Sequence, residues 1–277
     1  MKAEQAGYAD PQAVANYIEE RERFGWRARG ERAVRFAEIK NGNAVLDLCC
    51  GPGMVTKVIR ETVGVQGRVV GIDSSPDFIT YARTFCNEDN VSFIAGNVED
   101  LPAHIGNQEF DAALLLASWL WINNKDLVCA HVRNCLTPEG KFVISLSSDN
   151  LDDAETNKFY WAYRDKLKES VLRVSPSTDI SYFNKLPVMD ARFTDGVISQ
   201  LHDHGFSLQS RHEVERVLSL EDKLFTYNNP ARTEWVGSFP PDVRLGIIRQ
   251  ALHNTGAEVG GSGVIKRHTH YLVFGLG

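Results

Sequence analysis

The chain has little that would tie it to a membrane, an oxidising compartment or a nucleic-acid polymer. Its longest apolar run, Ala112 to Ile122 with Ser118 inside, falls well short of the ~20 residues that a membrane-spanning helix needs. The first residues, Met1-Lys-Ala-Glu-Gln-Ala-Gly-Tyr8, hold no apolar signal core. Five cysteines, odd in number and without a Cys-x-x-Cys pair, predict reduced thiols and a cytoplasmic protein. Lys and Arg number 30 against 36 Asp and Glu, a formal charge of −6, which argues against a general nucleic-acid binder. No repeat or low-complexity segment is present. A Walker phosphate loop is excluded because no Gly-Lys-Ser/Thr exists, and Thr56 stands where a dinucleotide fingerprint needs its third glycine.

What is present is a soluble composition, 43% hydrophobic and 24% charged over 277 residues, with enough chain for a large core. One stretch organises the rest. Ala44-Val-Leu-Asp-Leu-Cys-Cys-Gly-Pro-Gly53 is an apolar run ending in a glycine turn, followed by the helical pattern Met54, Val55, Val58, Ile59 and Val63. Val69-Val-Gly-Ile-Asp73 is a second apolar run ending in a carboxylate. Strand, glycine loop, helix, strand and acid make one right-handed βαβ unit with a nucleotide site at the strand tips. Asp73 stands where such folds place the acid that grips ribose hydroxyls. A Cβ at Gly53 is expected to intrude on the ligand and to strain the turn.

The same stretch resembles motif I of the class I S-adenosylmethionine (SAM) methyltransferases, through Asp47, Gly51 and Gly53. Cys49 departs from the pattern, standing where that family has its first glycine, and a tighter loop is expected there. Val91-Ser-Phe-Ile-Ala-Gly-Asn-Val-Glu-Asp-Leu-Pro102 resembles the family's adenine-contacting stretch, which makes Asn97 and Val98 the adenine contacts. Leu136-Thr-Pro-Glu-Gly-Lys-Phe-Val-Ile-Ser145 resembles the family's turn and fifth strand. The resemblance implies SAM as cofactor, held by Asp47, Gly51, Gly53, Asp73, Ser74, Asn97, Val98 and Ala117. It also implies an N-terminal helix over the cofactor, with Tyr17 as the covering aromatic and Tyr8 behind it.

The implied fold is α/β, a doubly wound, Rossmann-like, seven-stranded, mostly parallel sheet with the last strand antiparallel, plus helical lid insertions. Residues 1–43 read as an N-terminal helical cover. Asp10-Pro11 opens its first helix, and a second runs from about Ala28 to Ile39. The Arg and Glu residues interleaved between Glu19 and Arg35 read as a solvated helix surface. Residues 44–147 form the cofactor-binding core, in which Phe110 to Ala117 is a central strand buried on both faces. Residues 148–193 are a lid insertion, with Asn150 as the expected cap of a long helix. Residues 194–277 complete the sheet around a second insertion at 218–264, which carries a helix beyond Pro241.

SAM carries its own activated methyl, so positioning and desolvation can supply most of the acceleration. No catalytic residue is assigned on that account. Trp119, Tyr160, Tyr227 and Arg232 are the candidate lining of an acceptor pocket formed by the two insertions. No metal is expected. The stretch after the fourth strand holds no acid, and the His268/His270 pair on the last strand has no third ligand at suitable spacing. An Asn-Pro-Pro-Tyr/Trp tetrad and a Pro-Cys dipeptide are both missing, which disfavours amino-group methylation and cytosine C5 chemistry. The expectation is therefore methyl transfer to a small, largely apolar molecule by a monomer or homodimer that binds neither nucleic acid nor membrane. Two alternatives stand beside it. One is a SAM-binding enzyme of the same fold that transfers no methyl, either a cyclase or one for which SAM is itself the substrate. The other is a nucleotide-dependent oxidoreductase.

Overall fold

The structure is a computed structural model and describes residues 11–149, 151–185, 191–227, 233, 235–259 and 265–277. Two helices, Pro11–Arg23 (α1) and Trp26–Phe36 (α2), precede the first strand. Gly25 separates them with φ 64°, a left-handed conformation that glycine adopts without strain. Each apolar run then becomes a strand: Ala44–Leu48 (β1), Arg68–Asp73 (β2), Val91–Ala95 (β3), Phe110–Leu116 (β4) and Leu136–Asp149 (β5). Between them run Met54–Val63 (α3), Pro76–Phe85 (α4), Leu101–Ile105 (α5) and Lys125–Cys135 (α6). Ser75 caps α4 by accepting the Phe78 N–H, with Pro76 at the first helical position, so the helix starts where its sequence directs.

The later part adds Ala154–Val174 (α7), Ala191–Asp203 (α8), Phe206–Leu218 (β6), Leu220–Thr226 (α9), Pro241–Val259 (α10) and Ile265–Leu276 (β7). The seven strands form one sheet in the order β3-β2-β1-β4-β5-β7-β6, mostly parallel with the last strand antiparallel. β1 pairs in parallel with β2 and β4, with Asp47 opposite Gly71 on one side and Leu114 on the other. That central place explains why Val45, Leu46 and Leu48 are fully buried. The stretch expected as a turn before the fifth strand lies inside β5, as an irregularity where register jumps from Phe110–Leu136 to Ala112–Lys141.

The chain divides into two compact units. The first holds residues up to Leu146, with Thr194–Glu213 and His270–Gly277. Its core is apolar from Val45 through Phe142 to Phe274, and Phe206 packs between Phe142 and Phe274 at 5.5 and 6.5 Å between ring centroids. The second unit holds Ser147–Phe193 and Val214–Thr269. There α7 and α10 pack along their length, burying Phe159, Tyr163, Leu167 and Val171 on one and Ile247, Ile248, Ala251 and Leu252 on the other.

Several local expectations are corrected. α2 starts at Trp26 and ends at Phe36. Asp153 caps α7, accepting the Thr156 N–H at 3.0 Å, whereas Asn150 lies outside the described residues. The second insertion contains α9, which rests on a capping box between Ser219 and Asp222. His270 Nδ1 lies 3.1 Å from Glu213 Oε2 in the first unit, and His268 Nε2 lies 3.2 Å from Glu215 Oε2 in the second. The carboxylate that spacing along the chain did not supply comes across the ladder, from β6 to β7.

Candidate functional site

The site is built on the turn between β1 and α3. To reverse direction at the strand tip the backbone enters the left-handed region three times, at Cys49 (φ 56°), Gly51 (φ 55°) and Gly53 (φ 82°). Cys49 holds that conformation with a side chain, at a cost of about 1–2 kcal/mol; the family's glycine would adopt it freely. The two glycines serve different ends. A Cβ on Gly51 would reach the Tyr17 ring at 3.8 Å, an ordinary contact, so space for a side-chain atom is left on that side of the loop. A Cβ on Gly53 would meet Ala82 Cβ and Phe93 Cζ, both at 3.1 Å. The expected clash with a ligand at Gly53 is thus replaced by a clash with the protein's own core.

Two acids frame the turn. Asp47 is 2% exposed and accepts a 2.6 Å hydrogen bond from the Thr56 hydroxyl, one turn into α3. Burial pushes its carboxyl up to about 7, against the pull of the Thr56 hydroxyl and with some help from the Asp73 charge. At the tip of β2, Asp73 accepts the Gly51 N–H through Oδ2 and the Ser75 N–H through Oδ1, each at 2.9 Å. Burial raises its pKa, and the two amides oppose that rise. The Asp73 backbone carbonyl also accepts the Gly96 N–H at 2.9 Å, which ties the ends of β2 and β3 together.

Asn97 is exposed and spends its carbonyl oxygen on the Glu99 N–H at 3.0 Å, while Val98 beside it is buried. Ser74 is exposed. At the tip of β4, Ala117 takes φ 55° and its N–H donates to the Ser145 carbonyl at 3.0 Å. Trp119 is 2% exposed, a core residue of the first unit, whereas Trp121 is 53% exposed. Tyr160 and Tyr227 lie in the second unit: Arg164 donates to the Tyr160 hydroxyl at 2.9 Å, and the Tyr227 ring is 6.1 Å from that of Trp235. Arg232 and Tyr8 lie outside the described residues.

Helix α1 covers the turn. The Tyr17 ring stacks obliquely on Phe78 of α4 with centroids 4.8 Å apart. Arg21 donates to the Tyr17 hydroxyl, and its guanidinium lies 4.1 Å from the Tyr17 ring centroid and 3.8 Å from that of Trp26. Tyr17, Arg21 and Trp26 line a cavity of about 30 Å³ together with Asp47, Cys49, Cys50, Pro52, Met54, Val55, Leu116 and Ser118. In the sequence Arg21 stands among the solvated charges, and nothing there marks Trp26. The signal for Arg21 was its i, i+4 spacing from Tyr17, which puts both on one helix face. In the second unit a larger cavity of about 500 Å³ lies between α9 and α10, lined by Leu220, Glu221, Leu224, Phe225, Arg249, Leu252 and His253.

A buried carboxylate, a glycine whose missing Cβ leaves room, and a second carboxylate fixed by amides at the next strand tip fit a ligand with an adenosine and a charged end. Comparison with known proteins shows the family. A family model described as a methyltransferase domain matches residues 39–218. The 2-phytyl-1,4-naphtoquinone methyltransferase of Trichormus variabilis is 27% identical over 163 residues, which are 54% of this chain and 70% of that protein. Two solved structures share the fold. The plantazolicin methyltransferase BamL, in complex with a desmethyl analogue of its substrate and SAH, has a TM-score of 0.53 at 16% identity, covering 97% of this chain and 93% of its own. The [4+2]-cyclase SpnF has a TM-score of 0.55 at 15% identity, covering 90% and 80%.

Proposed function

The chain belongs to the methyltransferase family whose model spans residues 39–218, and we propose that its methyl acceptor is a small, largely apolar molecule such as a substituted quinone. Membership makes it a SAM-dependent methyltransferase. The acceptor class rests on the naphtoquinone methyltransferase it resembles.

When bound, SAM supplies an electrophilic methyl on a sulfonium centre. This chain's residues have only to hold it, align the acceptor and exclude water. The observation that carries the reading is the Asp47–Gly51–Asp73 arrangement, in which a glycine loop lies between a buried carboxylate and a half-buried one. In this reading Asp73 accepts the ribose hydroxyls with oxygens already oriented by Gly51 and Ser75, and Ser74 borders the ribose. Asp47 faces the methionyl end, and Asn97 and Val98 border the adenine. Gly53 lets the loop pack closely on Ala82 and Phe93, and Ala117 and Tyr17 border the site. The test is incubation with SAM and demethylated quinones, followed by mass spectrometry. The expected result is S-adenosylhomocysteine together with a product heavier by one methylene unit. SAM that binds and stays intact beside a cyclised product would favour the cyclase reading instead, which the likeness to SpnF keeps specific.

A further inference from the structure

The methionyl end of SAM is a zwitterion, and the first unit's cavity offers one group of each sign. Among the described residues that line it, Asp47 is the acid and Arg21 the cation. We propose that Arg21 of α1 anchors the methionyl α-carboxylate while Asp47 takes the α-ammonium, an inference that rests on the cofactor reading above. Arginine suits this task through its shape. The guanidinium lies over the Tyr17 and Trp26 rings, 4.1 and 3.8 Å from their centroids, and its planar N–H edges match a carboxylate in a fork. One of those edges already donates to the Tyr17 hydroxyl, which fixes the plane before any ligand arrives. The placement also has a sign logic. A cation near the sulfonium would repel the reacting centre, whereas a cation at the far end of the methionyl chain neutralises the carboxylate and leaves the sulfonium alone. Because Arg21 and Tyr17 sit on the same helix, a ligand with a carboxylate holds α1 over the loop, and one without it does not.

Calorimetry on the full chain, wild type against Arg21→Gln and Arg21→Lys, tests this with two ligands. S-adenosylhomocysteine has the amino-acid end; 5′-methylthioadenosine keeps the adenosine and sulfur and lacks both charges. The expected result is at least a tenfold loss of S-adenosylhomocysteine affinity in Arg21→Gln, partial recovery in Arg21→Lys, and methylthioadenosine affinity unchanged within about twofold. Equal losses for both ligands would assign Arg21 to holding Tyr17 and α1 in place, and an unchanged S-adenosylhomocysteine affinity would also overturn the proposal. A wild-type chain that binds neither nucleoside fails earlier, at the cofactor reading itself.

Discussion

Asp47 decides how the site responds to pH. With its carboxyl at about 7 in the folded protein, it is largely protonated at pH 6 and ionised at pH 8, whereas in the unfolded chain it titrates near ~3.9. The raised value means that this group favours folding fully below pH ~4, and the contribution is lost as pH rises through about 7. Binding of an ammonium draws the other way. S-adenosylhomocysteine should bind more tightly as pH rises from 6 to 8 and should release a proton on binding at pH 6. Calorimetry in two buffers of different ionisation enthalpy measures both, and Asp47→Asn should flatten the profile. Backbone strain gives a second test at this scale. Cys49→Val should lower the melting temperature, because a β-branched residue tolerates φ 56° least, while Cys49→Gly should hold or raise it. Gly53→Val should lower stability outright, since its Cβ would press on Ala82 and Phe93 at φ 82°; thermal melts rank the three.

At the scale of elements, the sequence was most legible where one short stretch determines structure by itself. Alternating apolar runs, the Ser75-Pro76 start and the glycine loop each carry a local rule, and β1 to α4 fall within a residue or so of expectation. It was least legible where partners come from afar. Glu213 and Glu215 reach His270 and His268 across a ladder, and no spacing along one strand reveals that. In the sequence Arg21 is one charge in a run of many, and only the packed helix shows it over the Tyr17 and Trp26 rings. Asp149 is a further case, at the end of β5 within the second unit. Burial raises its pKa, but Lys223 of α9 and Arg267 of β7, at 3.5 and 3.1 Å, outweigh this and leave it below the usual range. Asp149→Ala should cost ~3 kcal/mol, chiefly by stranding the poorly solvated Lys223 ammonium, read as a lower urea midpoint. The wild-type contribution is present above the ordinary carboxylate range and should fade as pH falls through the lowered pKa.

For the whole molecule, the fold and the family follow from the first half of the chain, and the acceptor does not. Methyl transfer places its chemical demand on the cofactor, so the acceptor side of such a site leaves no fixed pattern in the sequence. Binding of donor to the intact chain is measurable without it. SAM or S-adenosylhomocysteine at ~100 times its dissociation constant should add ~2.7 kcal/mol of stability, visible as a thermal shift that NAD does not reproduce. Methyl transfer should also persist in EDTA, because the residues following β4, Ala117-Ser118-Trp119, bring no acid to the reaction centre. Among the described residues no helix is long and apolar enough to cross a membrane.

Thr56 carries a lesson for redesign. It occupies the position that a dinucleotide loop gives to glycine, and from there its hydroxyl holds Asp47. Engineering this scaffold to accept a nicotinamide cofactor by restoring the glycine would remove the group that orients the buried acid and strand a carboxylate in the core. The two loop grammars are therefore incompatible at one residue, and a specificity graft here has to exchange positions 47 and 56 together.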